Sequence, residues 1–182
     1  NRLADIHYDR LNPRTRERAL AKGTLTVRYA AVFTVVMSGL FVLSAWELNP
    51  LCFYLSFPAL GVLFLYSYTK RFTYLSHLVL GFAIGSAPLA AWLAIRGDVV
   101  PAPVLLSAAV MFWIAGFDVI YALQDTDFDR QSKLFSLPAR FGVARALQLS
   151  TLFHLMTIVL LVATAALTAS GPVAYAGILV VA

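Results

Sequence analysis

Residues 101–129 read PAPVLLSAAVMFWIAGFDVIYALQDTDFD: an apolar run, 101–120, that passes without a break into Asp118, Tyr121, Asp125, Asp127 and Asp129. About 20 apolar residues suffice to cross the roughly 30 Å hydrocarbon core of a bilayer as a helix. A carboxylate held ionised at the end of such a helix costs a few kcal/mol, so a cluster of them calls for cationic partners. The stretch therefore predicts a membrane helix that delivers acidic side chains to one membrane face.

The rest of the chain follows the same plan. It is 60% hydrophobic and only 13% charged, far from the charged fraction of about 25% usual in soluble domains. Further apolar runs occupy 24–46, 51–69, 74–95 and 146–168, and another begins near Pro172. These runs, rather than a core that excludes water, predict an all-α polytopic bundle. Cys52 is the single cysteine and has no disulfide partner, so cysteine content is silent on compartment. The chain opens on Asn1 inside what reads as a helix end and stops inside an apolar run, and the pattern expects further helices at both ends.

Threading the spans alternately places 1–23, Lys70 with Arg71, and 121–145 on one side. Every Lys and Arg except Arg96 falls there. Under the positive-inside tendency that side is cytoplasmic. The net charge of +5 is then a topology signal, not a nucleic-acid patch, because the basic residues lie in membrane-bounded loops.

A second acidic stretch shares that side: Asn1-Arg-Leu-Ala-Asp5-Ile-His-Tyr-Asp9. At about 100° per residue, Asn1, Asp5 and Asp9 line one helical stripe, and Asp118, Asp125 and Asp129 line another with Tyr121 close by. Asp127 points roughly the opposite way. Gathered carboxylates repel one another and are relieved by a divalent ion. Oxygen ligands without Cys or clustered His favour a hard ion such as Mg²⁺, which completes its shell with water and substrate phosphate. A phosphorylated substrate is implied, for which Arg14, Arg18, Lys70, Arg71, Lys133 and Arg140 are candidate phosphate ligands. The same basic residues serve equally as orientation signals, and spacing does not rank them. His7 lies off its stripe, while His77 and His154 stand in apolar helices where a hydrogen bond to a neighbouring helix is the expected role.

These motifs resemble the UbiA superfamily of intramembrane aromatic prenyltransferases. Asn1, Asp5 and Asp9 are similar to that family's Asn-Asp-x-x-Asp-x-x-x-Asp motif, with Arg2 in place of its second residue. Asp125 and Asp129 resemble its Asp-x-x-x-Asp motif, Asp118 and Tyr121 an upstream Asp and Tyr, and Tyr66-Ser-Tyr-Thr-Lys70 a Tyr-x-x-x-Lys element. Residues 117–125 and Ser136-Leu-Pro-Ala-Arg-Phe-Gly142 look most like the 4-hydroxybenzoate polyprenyltransferase branch, which includes relatives thought to serve menaquinone synthesis.

The resemblance implies that residues 1–182 form part of one UbiA-like domain, a bundle of nine transmembrane helices entered near the end of the second and left within the eighth. It implies Mg²⁺-dependent transfer of a polyprenyl group from its diphosphate to an aromatic acceptor, 4-hydroxybenzoate or a related ubiquinone or menaquinone precursor. Asp5, Asp9, Asp125 and Asp129 would hold metal. Asn1, Arg14, Arg18, Lys70, Arg71, Lys133 and Arg140 would bind substrate, and Asp118, Tyr121, Tyr66 and Lys70 would act in catalysis. Tyr66, Tyr68 or Tyr121 suit the ring face of a cation-stabilising residue, or alternatively packing and the interfacial aromatic belt. Two other classes fit an acidic membrane bundle. A membrane alcohol phosphotransferase needs Asp-Gly and Ala-Arg inside one continuous motif, which this chain lacks. A cation transporter needs carboxylates near mid-membrane, whereas these lie at helix ends.

Overall fold

The computed structural model describes residues 1–181, and no strand occurs among them. Two short helices come first, α1 (Ile6–Leu11) and α2 (Ala19–Lys22), followed by the long α3 (Val27–Leu48) and α4 (Pro50–Thr69). Next come α5 (Ser76–Gly85), α6 (Ala87–Arg96) and α7 (Pro101–Ala122). A 3-10 turn over Leu123–Asp125 leads into α8 (Thr126–Gln131), α9 (Leu137–Phe141), α10 (Val143–Leu167) and α11 (Pro172–Val181). Five helical segments are long and apolar enough to cross a membrane: Val27–Leu48, Pro50–Thr69, Ser76–Arg96, Pro101–Gln131 and Val143–Leu167. They correspond to the five complete runs expected from sequence, and α11 to the sixth.

Local chemistry sets the boundaries. Thr26 caps α3 by accepting from the Tyr29 N–H at 3.2 Å, which starts that helix three residues later than the hydropathy edge. Asn49 caps α4 through the Cys52 N–H at 2.8 Å, with Pro50 at the first position, where its missing N–H is harmless. The third span is broken at Ser86 because Pro88 follows. Just past the break, the Leu89 N–H donates across to Ser107 Oγ in α7 at 2.9 Å. Gly142, at φ +81°, turns the chain out of α9 and into α10.

α7 is the central element, flanked by α5, α6 and α10. Its packed face is made of small residues, Ala109, Ala115, Gly116 and Ala122 with Val119. Helices in lipid associate through such close backbone approach, because burial from water drives nothing there. A Cβ on Gly81 would lie 2.3 Å from the Met111 carbonyl oxygen, and one on Gly85 would lie 2.6 Å from the Met111 nitrogen. Gly81-x-x-x-Gly85 is thus what lets α5 lie against α7. On the other side Ser150 Oγ donates to the Gly116 carbonyl at 2.9 Å, and Thr157 Oγ1 to the Ala109 carbonyl at 3.2 Å. By contrast α3 packs mainly on α4 and leaves most of its apolar surface exposed. The helices α1, α2, α8 and α9 gather at one end of the bundle, where Leu137 of α9 packs with Val119 of α7 and Ala146 of α10.

Candidate active site

The two acidic stretches meet at that end. The first keeps its register although α1 begins only at Ile6: Asp5 N–H donates to Asn1 O at 3.0 Å and Asp9 N–H to Asp5 O at 2.8 Å. Asn1, Asp5 and Asp9 therefore stack as i, i+4, i+8. The second stretch crosses from α7 through the 3-10 turn into α8, yet Asp125 and Asp129 are buried while Asp127 is exposed. Asn1, Asp5, Asp9, Asp125 and Asp129 all border one cavity of about 130 Å³ that Tyr66, Lys70, Arg71, Asp118 and Tyr121 also line.

Each acid in this wall except Asp129 meets a cation or a histidine. The Arg14 guanidinium grips Asp125 in two places, Nε to Oδ1 at 2.9 Å and Nη2 to Oδ2. Its Nη1 donates to the Tyr121 hydroxyl at 2.8 Å. Hydrogen bonding to Asp125 holds the Arg14 proton more firmly than usual. Arg18 Nη1 donates to Asp9 Oδ1 at 2.7 Å. Arg71 stands 3.8 Å from Asp5 and donates to the Ala4 carbonyl at 2.6 Å. Burial, then the nearby Asp9 charge, pushes the Asp5 carboxyl above its ordinary value, with Arg71 and Lys70 opposing. Asp118 Oδ2 pairs with His77 Nδ1 at 2.6 Å.

The UbiA prenyltransferase family matches residues 1–182 throughout. The chain belongs to the UbiA prenyltransferase family. A 4-hydroxybenzoate solanesyltransferase from Synechocystis is 35% identical over 173 residues, which take in 88% of this chain and 58% of that protein. A 4-hydroxybenzoate octaprenyltransferase from Edwardsiella ictaluri is 36% identical over 163 residues, 86% of this chain and 56% of that protein. The chain thus spans between half and two thirds of the length of these curated relatives.

Two solved structures share the fold. The apo UbiA homolog from Aeropyrum pernix superposes with a TM-score of 0.92 at 35% identity, covering 98% of this chain and 68% of that one. The UbiA homolog from Archaeoglobus fulgidus bound to GPP and Mg²⁺ gives 0.74 at 26% identity, with coverage of 100% and 64%. The UbiA fold and five apolar spans make this chain an integral membrane protein.

Of the residues singled out from the sequence, Asn1, Asp5, Asp9, Arg14, Arg18, Tyr66, Lys70, Arg71, Asp118, Tyr121, Asp125 and Asp129 all border this UbiA cavity. Lys133 and Arg140 do not. Lys133 is exposed beyond the end of α8, at φ 54°, and its neighbour Leu134 borders the cavity in its place. Arg140 is exposed on α9, with its guanidinium 5.6 Å from the Tyr74 ring centre. Tyr68 is also exposed, 4.8 Å beneath the Arg71 guanidinium.

Sequence reading missed Asn12. It donates to Asp125 Oδ1 at 2.8 Å and accepts from the Arg14 N–H at 2.9 Å, so it holds the loop that aims Arg14. An Asn directly before Pro13 was the available signal, since that pair marks a turn.

The donor chemistry fits a hard divalent ion. Among the described residues no three acidic, histidine or cysteine side chains stand together in metal-holding geometry, because Asp5, Asp9 and Asp125 face arginines. Asp129 Oδ2, however, is buried with no hydrogen-bond partner. A buried carboxylate oxygen without a partner is costly, and a cation satisfies it.

Proposed function

We propose that this chain carries the catalytic face of a Mg²⁺-dependent polyprenyltransferase, which moves a polyprenyl group from its diphosphate to an aromatic acceptor. The observation that carries this reading is the convergence of Asp5, Asp9, Asp125 and Asp129 with Arg14, Arg18, Lys70 and Arg71 on one cavity at the end of an apolar bundle. Acid and base in such numbers suit a polyanion that arrives with a cation. Asp5, Asp9, Asp125 and Asp129 are the residues that would hold Mg²⁺, which when bound offsets diphosphate charge. The names of the relatives, and the GPP and Mg²⁺ of the Archaeoglobus homolog, support the substrate class.

The chain's own groups divide the work. Arg14 and Arg18 now neutralise Asp125 and Asp9; with diphosphate present they turn to its oxygens, where Arg binds bidentately. Asn1, Lys70 and Arg71 complete the cradle. As the allylic C–O bond breaks, positive charge grows on carbon, and the Tyr66 and Tyr121 rings offer it their negative faces. The electron pair of the aromatic ring forms the new C–C bond, and the displaced ring proton passes to the Asp118 carboxylate. The surrounding apolar helices keep water from the cation.

The acceptor is 4-hydroxybenzoate or a related ubiquinone or menaquinone precursor. The catalytic face is cytoplasmic because the basic residues crowd there, and the bacterial relatives support a bacterial inner membrane. Product analysis by mass spectrometry tests the whole reading: membranes holding the full-length protein receive a polyprenyl diphosphate, Mg²⁺ and a panel of phenolic acids. A prenylated phenolic acid and free diphosphate are expected. Nucleotide release, or cation flux in vesicles without a prenyl donor, would point to the other classes.

A further inference from the structure

His77 has no exposed surface and does not line the cavity, yet it is tied to a residue that does. Its Nδ1 lies 2.6 Å from Asp118 Oδ2. On the far side of the ring, the backbone N–H of Leu137 points at Nε2 from 3.4 Å. A backbone N–H can only donate, so Nε2 accepts, and the ring proton sits on Nδ1, where it donates to Asp118. The imidazole is therefore fixed in tautomer and in plane by two elements distant in sequence, α7 and the start of α9.

The contact at Leu137 is itself part of the site's frame. Ser136, fully buried, caps α9 by accepting from the Ala139 N–H, and its hydroxyl stands beside the Asp129 carboxylate. The Phe135 N–H donates to the Lys70 carbonyl at 2.7 Å. The segment 135–137 thus touches Lys70, Asp129 and His77, and His77 carries its position on to Asp118.

We infer that His77 is a positioning residue for Asp118, holding one carboxylate oxygen so that the other faces the cavity where the acceptor ring reacts. The inference rests on the prenyl-transfer reading above. Because His77 touches neither the diphosphate cradle nor Arg14, Arg18 or Arg71, its loss should act on the rate after substrate binds. A displacement of about 1 Å in a reacting group is worth about a hundredfold.

The test uses full-length protein in membranes, with a polyprenyl diphosphate, Mg²⁺ and 4-hydroxybenzoate or whichever phenolic acid the wild type accepts. His77→Phe keeps the ring's shape and removes both hydrogen bonds; His77→Gln keeps a donor and an acceptor. His77→Phe should lower kcat by about tenfold to a hundredfold, with KM for the diphosphate within about threefold, and His77→Gln should recover most of the loss. Asp118→Asn supplies the cycle: on that background His77→Phe should cost nothing further, because residues acting through one group are not additive.

A kcat for His77→Phe within twofold of wild type overturns the inference, and so does a full further loss on the Asp118→Asn background. A purely structural role predicts that further loss, and predicts no rescue by Gln. Should His77→Phe fail to accumulate, His77→Gln decides alone: kcat near wild type supports the inference, and a hundredfold loss in a folded protein overturns it. If wild-type protein transfers no prenyl group to any phenolic acid, the functional reading has failed and takes this assignment with it; transfer by wild type with an indifferent His77→Phe refutes this inference only.

Discussion

Asp125, Asp127 and Asp129 are chemically alike and near neighbours, but the fold treats them differently. Asp125 and Asp129 are 8% and 3% exposed and face the cavity, whereas Asp127 points to solvent. Asp125→Asn and Asp129→Asn should each lower Mg²⁺-dependent transfer by orders of magnitude, since an amide keeps the shape and removes the charge. Asp127→Asn should change it little, and an equally impaired Asp127 variant at matched expression would show the register to be wrong. Asp5 separates function from stability. Burial raises its pKa, so its destabilising charge is absent below the ordinary value of 3.8 and takes effect as pH rises through the raised one. At neutral pH without ligands, Asp5→Asn should leave the thermal midpoint unchanged or higher while turnover falls by about a hundredfold or more. A lower midpoint would show that its Arg71 contact outweighs the desolvation.

The elements were legible to different degrees, for physical reasons. Spans were readable because about 20 apolar residues are needed in lipid whatever surrounds them. The acidic stripes were readable because register survives a short 3-10 turn: Asp125 and Asp129 border the same cavity as Asp118 although Leu123–Asp125 interrupts the helix between them. The partner of His77 was not readable beyond a neighbouring helix, since nothing in 74–95 points to Asp118 or Leu137. Nor was the fit of α5 on α7, although Gly81 and Gly85 were there to be noticed as a small-xxx-small pair. That fit yields a prediction at its own scale. Gly85→Ala puts a Cβ 2.6 Å from the Met111 backbone, which cannot swing aside. It should destabilise by about 1–3 kcal/mol, the usual cost of overpacking. Gly61→Ala, with nothing within 4 Å of the new Cβ, should be neutral or gain up to about 1 kcal/mol from helix propensity. Thermal unfolding of the two variants in detergent, followed by circular dichroism, compares them directly.

At the scale of the whole molecule, the two ends of the bundle differ in kind. The acidic end holds the cavity and every Lys and Arg but one. The other end holds Arg96, whose guanidinium lies 5.9 Å from the Trp92 ring centre, and Asp98, which accepts from Trp92 Nε1 at 2.8 Å. A Trp with a paired charge suits the headgroup level, so that end reads as an anchor and the cavity end as the face that would receive the proposed diphosphate. Vesicles of known sidedness test the assignment. After Cys52→Ser removes the native thiol, single cysteines at Arg16, Gln131 and Val99 are labelled with a membrane-impermeant maleimide. Val99 is 66% exposed and is preferable to Gly97, whose φ of +70° would strain any side chain. Arg16 and Gln131 should label from the cytoplasmic side and Val99 from the opposite side. Labelling of Val99 and Gln131 from one side would break the alternation of spans and with it the convergence of the two acidic stretches. Reversal of all three would keep the cavity intact but open it away from the cytoplasm, and the assignment of sides from basic residues would then be wrong while the site stood.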